Sequence, residues 1–159
     1  MTVVVVRDGV IASDSRATIE SEAGGIRYVH CEKLYVIREM GVVIGVAGDA
    51  FAALRFVEWY RRKPRKKGTR KRDDLLVTGE ADFSAIVLHK DGRLEEFDKW
   101  LIAEDVLLEK NQYYAIGCGA KAALGAMAMG ADARKAVEVT CGIDPFCSLP
   151  VVAFDVKEL

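Results

Sequence analysis

Residues Val3–Val6 are four consecutive valines, and an Asp8-Gly9 pair follows two positions after them. An unbroken β-branched run of this length reads as a buried strand, and Asp-Gly is a strong signal for a tight hairpin turn. The chain therefore begins with a buried hairpin, Val3–Val6 into Val10–Ala12, that other elements must cover. Two features of this start have nothing to do with strand formation. Thr2 stands directly behind the initiator methionine, and the second strand runs into a compact polar knot, Asp14-Ser15-Arg16.

The later elements follow from periodicity and turn chemistry. Ile26–Val29 and Lys33–Ile37 read as a second pair of strands, and Val42–Val46 as another after Met40-Gly41. Gly48-Asp49 ends that strand and can cap a helix, whose apolar stripe would be Ala50, Ala53, Leu54 and Val57. Phe83–His89 and Leu94–Phe97 form a hairpin around Lys90-Asp91-Gly92. Tyr113–Ile116 runs into Gly117-Cys118-Gly119, then an alanine-rich helix, Ala120–Met129. Asp132 caps a second helix, Ala133–Cys141, and Val151–Val156 is a last strand. Strands, a helix, strands, two helices and a strand describe an α+β protein with two sheets and helices outside them. At 159 residues, with no repeat and no linker, a single domain over 1–159 is expected.

Composition narrows the function classes. The formal net charge is −1, so nothing global points to a nucleic acid or a membrane. Nine of the 23 basic residues sit in Arg61–Arg72, RRKPRKKGTRKR, leaving 14 against 24 acidic residues elsewhere. That segment reads as a solvated loop, with an acidic partner or a subunit contact as the alternatives; no aromatic residue is interleaved in it, which disfavours nucleic-acid binding. The four cysteines, Cys31, Cys118, Cys141 and Cys147, form no CxxC pair and have no histidine at zinc-like spacing, so no metal and no cofactor is expected. The opening apolar run ends at Arg7-Asp8, far short of a signal or membrane segment, and the expected setting is a reducing cytoplasm.

Thr2 is small enough to permit removal of Met1, which would leave a free α-amine beside a hydroxyl. Such an amine can take the hydroxyl proton as the oxygen attacks a carbonyl. Threonine after methionine is also commonplace, so position alone does not separate the two readings.

The ordered set of motifs does more. DSRAT at 14–18, Lys33 in Glu32-Lys33-Leu34, Val46-Ala47-Gly48-Asp49-Ala50, Ala115-Ile116-Gly117-Cys118-Gly119, Gly125–Gly130 and Asp144-Pro145-Phe146-Cys147 follow one another along nearly the whole chain. In this order the sequence resembles the proteasome β-subunit family, the N-terminal-nucleophile threonine peptidases that include HslV-type proteases. It looks most like the small bacterial and phage homologues.

The resemblance implies a four-layer αββα sandwich and a threonine-type endopeptidase acting inside a closed homo-oligomeric ring on peptides or unfolded protein. A ring-shaped ATPase unfoldase is a further partner the family suggests. Residue by residue, it implies Thr2 as nucleophile with its own amine as base. Lys33 would disfavour protonation of that amine, Asp14 would hold and orient Lys33, and Gly48 would donate its N–H to the oxyanion. Arg16, Cys118, Asp144 and Cys147 would support them. Ala17, Thr18, Cys31, Val46 and Ala50 would line the substrate pocket, whose small, largely apolar character suits a hydrophobic residue before the scissile bond.

Two positions depart from the family pattern, which has serine at Cys118 and serine or threonine followed by glycines at Cys147-Ser148-Leu149. A thiol is a weak donor and a poor acceptor, so the surroundings of the amine would be looser. This keeps a second reading open, a catalytically weak or inactive structural ring subunit of the same fold. Cys118 as a nucleophile in its own right has no histidine base near it in sequence. A binding module working through its basic loop is a third reading.

Overall fold

The computed structural model describes residues 2–21, 24–62, 82–99, 101, 103–106, 108–109 and 112–159. Eleven strands and three α-helices lie among them. In chain order they are β1 (Val4–Arg7), β2 (Val10–Ser13), β3 (Arg16–Glu20), β4 (Ile26–His30), β5 (Leu34–Ile37), β6 (Val42–Gly48), α1 (Ala50–Arg61), β7 (Phe83–His89), β8 (Leu94–Phe97), β9 (Ala103–Val106), β10 (Tyr113–Ile116), α2 (Ala120–Ala128), α3 (Ala133–Ile143) and β11 (Val152–Asp155). Every strand pair is antiparallel. One sheet has the order β10-β1-β2-β11, a second β5-β6-β7-β8-β9, and β3-β4 stands as a two-stranded ribbon.

The opening valines show why the first strand is apolar at every position. Val4 and Val6 pack with Ile11 against Val43, Ile86, Leu88 and Leu94 of the five-stranded sheet. Val3 and Val5, pointing the other way by the two-residue period of a strand, pack with Ala12 against Ala123, Met127, Ala136 and Val137 of α2 and α3. Each such valine contributes roughly 1.5–3 kcal/mol on burial. The turn between β1 and β2 is the expected tight one, with Asp8 and Gly9 both at positive φ, 52° and 80°.

A third core joins the other face of the five-stranded sheet to α1. Ile44, Val46, Ala85 and Val87 meet Ala52, Ala53, Phe56, Val57, Trp59 and Tyr60, and Phe56 packs its ring 5.0 Å from that of Phe97. The buried stripe is therefore rotated from the expected one. The three aromatic side chains bring more apolar area than Ala50 or Leu54, so they take the core, while Ala50 and Leu54 are left exposed. The caps are as expected: the Asp49 side chain accepts from Ala52 N at 2.8 Å, and that of Asp132 from Lys135 N at 2.8 Å.

The sequence reading pairs Ile26–Val29 with Lys33–Ile37; the structure pairs β4 with β3 instead, Ala17 opposite Val29, and gives β5 to β6. The chain remains extended after Asp14, so Arg16–Glu20 supplies the ladder that β4 needs. Of the basic segment, Arg61 ends α1 and Arg62 is its C-cap; residues 63–72 lie outside the described residues, as does Met1.

Candidate active site

Thr2 lies just ahead of β1 and is buried, with 5% of its surface exposed. Its backbone nitrogen donates to Cys118 Sγ at 3.2 Å, and its carbonyl oxygen accepts from Gly119 N at 3.2 Å. The turn 117–119 between β10 and α2 thus holds the Thr2 peptide from both ends. Gly117 makes this possible. Its φ is +93°, and a Cβ there would fall 2.2 Å from Thr2 O, so only glycine fits the approach. The Gly117-Cys118-Gly119 motif is visible in the sequence, but the dependence of Thr2 on Gly117 is not.

On the other flank, β2 ends by delivering Asp14 into the interior, 1% exposed. Its carboxylate is fully used. Oδ1 accepts from Lys33 Nζ at 2.7 Å and from Val3 N at 3.0 Å, while Oδ2 accepts from Arg16 N at 3.0 Å and Ser148 N at 3.3 Å. The Asp14–Lys33 pair is among the most buried charges described, at 0% and 4% side-chain exposure. Two buried charges persist only when paired and hydrogen-bonded, which this network supplies. Because Val3 N and Lys33 share one oxygen, the same carboxylate fixes both the lysine and the peptide next to Thr2. The Ser148 amide is a partner that sequence reading, intent on Cys147, passes over.

Arg16 contributes its backbone here, and its guanidinium goes elsewhere. It donates to Pro145 O and lies 4.5 Å over the Tyr28 ring, tying the loop after α3 to the β3–β4 ribbon.

Thr2 and Lys33 open on a common cavity of about 390 Å³. All five expected pocket residues, Ala17, Thr18, Cys31, Val46 and Ala50, line it, together with Gly48. Tyr35 and Leu54 line it too; the latter is free to do so because α1 turns it out of the core. Burial, with Cys31 and Glu32 alongside, raises the Tyr35 phenol above its usual pKa. Thr18 Oγ1 is buried with no hydrogen-bond partner among the described residues. Gly48 has φ +98°, and a Cβ would meet Asp82 O at 2.3 Å, so β6 can turn into α1 at the cavity's rim only through glycine.

Cys118, Asp144 and Cys147 also come together, from the turn before α2, the C-terminal end of α3 and the loop beyond it. Burial raises the Cys147 thiol well above the usual range, with Asp14, Cys118 and Asp144 adding to it. Cys141 is pushed up to about 11 by burial, with Asp14 contributing.

No family profile matches the chain, and no curated protein matches it in sequence. Solved structures do match in shape. BPH of Thiobacillus denitrificans in complex with epoxomicin superposes with a TM-score of 0.65 at 19% identity, covering 97% of this chain and 97% of that one. Eukaryotic HslV of Trypanosoma brucei gives 0.61 at 19%, covering 96% and 97%. Anbu, an ancestral beta-subunit, of Yersinia bercovieri gives 0.71 at 14%, covering 96% and 79%. The fold is proteasome-like, as in these neighbours. Identities this low speak to the fold alone. No helix among the described residues is long and apolar enough to cross a membrane.

Proposed function

We propose that this chain is a threonine-type endopeptidase in which Thr2, freed by removal of Met1, is the nucleophile. The observation that carries the reading is the placement of Thr2 between a sulfur acceptor and the buried Asp14–Lys33 pair, at the edge of a cavity. In this reading Thr2 Oγ1 attacks the substrate carbonyl while its proton passes to the α-amine. The amine then returns that proton to the leaving nitrogen, and water hydrolyses the resulting ester. Lys33 is the positive charge that keeps the amine unprotonated, and Asp14 is the group that anchors Lys33. The Gly48 N–H serves the developing oxyanion, a role typically worth about 3 kcal/mol of barrier.

The proposal extends to architecture and assembly. The three cores, helices on sheet, sheet on sheet and sheet on helix, support a four-layer αββα sandwich in one domain. A homo-oligomeric ring acting on peptides or unfolded protein, with an ATPase unfoldase as possible partner, is the corresponding assembly. The cavity's Ala17, Val46, Ala50 and Leu54 suit an apolar side chain before the scissile bond. Epoxomicin, bound by the BPH neighbour, is a probe to try on this chain.

One observation favours a second reading, a structural ring subunit: both positions beside the nucleophile and Asp144 carry thiols. Thr2→Ala separates the two. In protein shown by mass to lack Met1, it is expected to abolish cleavage of a fluorogenic apolar peptide while leaving thermal stability and oligomer size unchanged. Turnover equal to the wild type would overturn the peptidase reading.

A further inference from the structure

We propose that Cys118, Cys147 and Asp144 form a binding site for a thiophilic divalent cation of the zinc class, set directly against Thr2. The spacing 118, 144, 147 matches no sequence pattern for a zinc site, and only the fold brings the residues together. The two sulfurs and a carboxylate oxygen all lie within 4.8 Å of one another. Ligands on one tetrahedral ion with metal–sulfur bonds near 2.3 Å stand roughly 3.8 Å apart, so side-chain rotation of an ångström closes the set. Thiolate sulfur with one carboxylate oxygen is the donor chemistry that selects zinc-like ions over calcium or magnesium.

The surroundings are built for ligation rather than for packing alone. Asp144 Oδ1 accepts from Phe146 N at 2.8 Å, which fixes the orientation of the carboxylate. Cys147 is held in place by its own N–H, which donates to Asp144 O at 3.1 Å. Gly119 allows the turn to approach: a Cβ there would lie 3.0 Å from Cys147 Sγ and 2.9 Å from Val3. Cys118 is exposed, so an ion has a way in, while Cys147 forms the buried floor at 2% exposure. Thr2 adjoins the cluster, its nitrogen 3.2 Å from Cys118 Sγ.

Loading replaces two thiol protons with the ion: both S–H bonds break, two metal–sulfur bonds form, and two protons leave for solvent. Apparent affinity therefore climbs steeply with pH, by up to about a hundredfold per unit below the thiol pKa values. Loading leaves the net charge of the site unchanged, and the metal-bound Cys118 sulfur can still accept from the Thr2 nitrogen. In Met1-free protein, however, the ion competes for the lone pair of the Thr2 amine, the base of the peptidase reading. The loaded chain is the inhibited form, a consequence that rests on the peptidase reading, whereas the binding itself does not.

Cobalt(II) titration of the intact, phosphine-reduced chain tests binding without reference to activity. The expected result is a thiolate-to-cobalt charge-transfer absorption saturating at one ion per chain, displaced by zinc. Cys118→Ser and Cys147→Ser should each weaken cobalt binding about tenfold or more, and Cys31→Ser should leave it intact. Cys118 is exposed, so its variant carries the test even should the buried Cys147 variant fail to fold. No charge-transfer band, or a band that persists in the double Cys118→Ser/Cys147→Ser variant, overturns the site. A wild-type chain that binds cobalt and keeps full peptidase turnover overturns the inhibitory role.

Discussion

On one side of Thr2 stands a buried carboxylate with both oxygens doubly occupied; on the other stands the sulfur of Cys118, a weak hydrogen-bonding group, with the Cys147 thiol close by. The Asp14 flank is rigid by construction, since Lys33, Val3, Arg16 and Ser148 each donate to a single group. The Cys118 flank holds Thr2 through its N–H to the Cys118 sulfur and through its carbonyl, which accepts from Gly119 N and, at 3.4 Å, from the Cys118 thiol, and it depends on Gly117 for room. Charge-assisted hydrogen bonds are roughly twice as strong as neutral ones, and thiols fall below both. The difference teaches where stability resides: on the Asp14 side, in a buried and fully hydrogen-bonded ion pair, while the proposed reactivity and ligand chemistry fall on the sulfur side.

The largest effect should come from breaking the rigid flank. Asp14→Asn removes the carboxylate charge that lies 2.7 Å from the buried Lys33 ammonium, and a loss of about 3–5 kcal/mol is expected in chemical denaturation. A loss under about 1 kcal/mol would mean the pair is a surface-like contact and the contrast is wrong.

A second ion cluster provides the intermediate case. Glu95 on β8 is held by His89 at the end of β7 and by Arg93 in the turn between the two strands, and these bonds, that to His89 foremost, depress its carboxyl from 4.5 to about 2. A depressed carboxyl contributes stability that is complete above the ordinary value and is lost as pH falls from about 4.5 toward 2. Glu95→Gln should therefore cost roughly 1 kcal/mol at neutral pH, allowing for solvent screening, with the cost vanishing near pH 2. Acid-unfolding curves of the two proteins should converge there; curves that stay parallel would contradict the linkage.

The smallest effect on stability belongs to the sulfur flank. Cys118→Ser exchanges a poor acceptor for a good one at Thr2 N, and the expected outcome is unchanged denaturation with turnover raised about fivefold. Slower turnover would show that the thiol is itself adapted to the site and not a weakened serine.

Legibility in the sequence followed local chemistry. The Asp8-Gly9 hairpin and the Asp49 and Asp132 caps depend on neighbouring residues, and each formed where expected. The β3–β4 ribbon was misread because every residue of β4 is exposed, so the apolar alternation that marks a half-buried strand was absent. β9, Ala103–Val106, was missed for a similar reason: its first three residues are exposed and two of them acidic. In α1 the small-residue stripe was legible, but larger aromatic side chains one step around the helix won the core. At the site, the Asp14–Lys33 pairing came from motif order across the chain. The Ser148 amide, the Gly117 approach and the meeting of Cys118 with Cys147 arise from loops distant in sequence, and no spacing announces them.

The central claim is that the Thr2 nitrogen and hydroxyl act together at the end of the cavity. Epoxomicin treatment of Met1-free protein, followed by intact mass and peptide mapping, tests it most directly. The account predicts one adduct per chain, located on the peptide beginning at Thr2 and absent from Lys33→Ala. An unmodified chain, or an adduct on Cys118 instead, would contradict it.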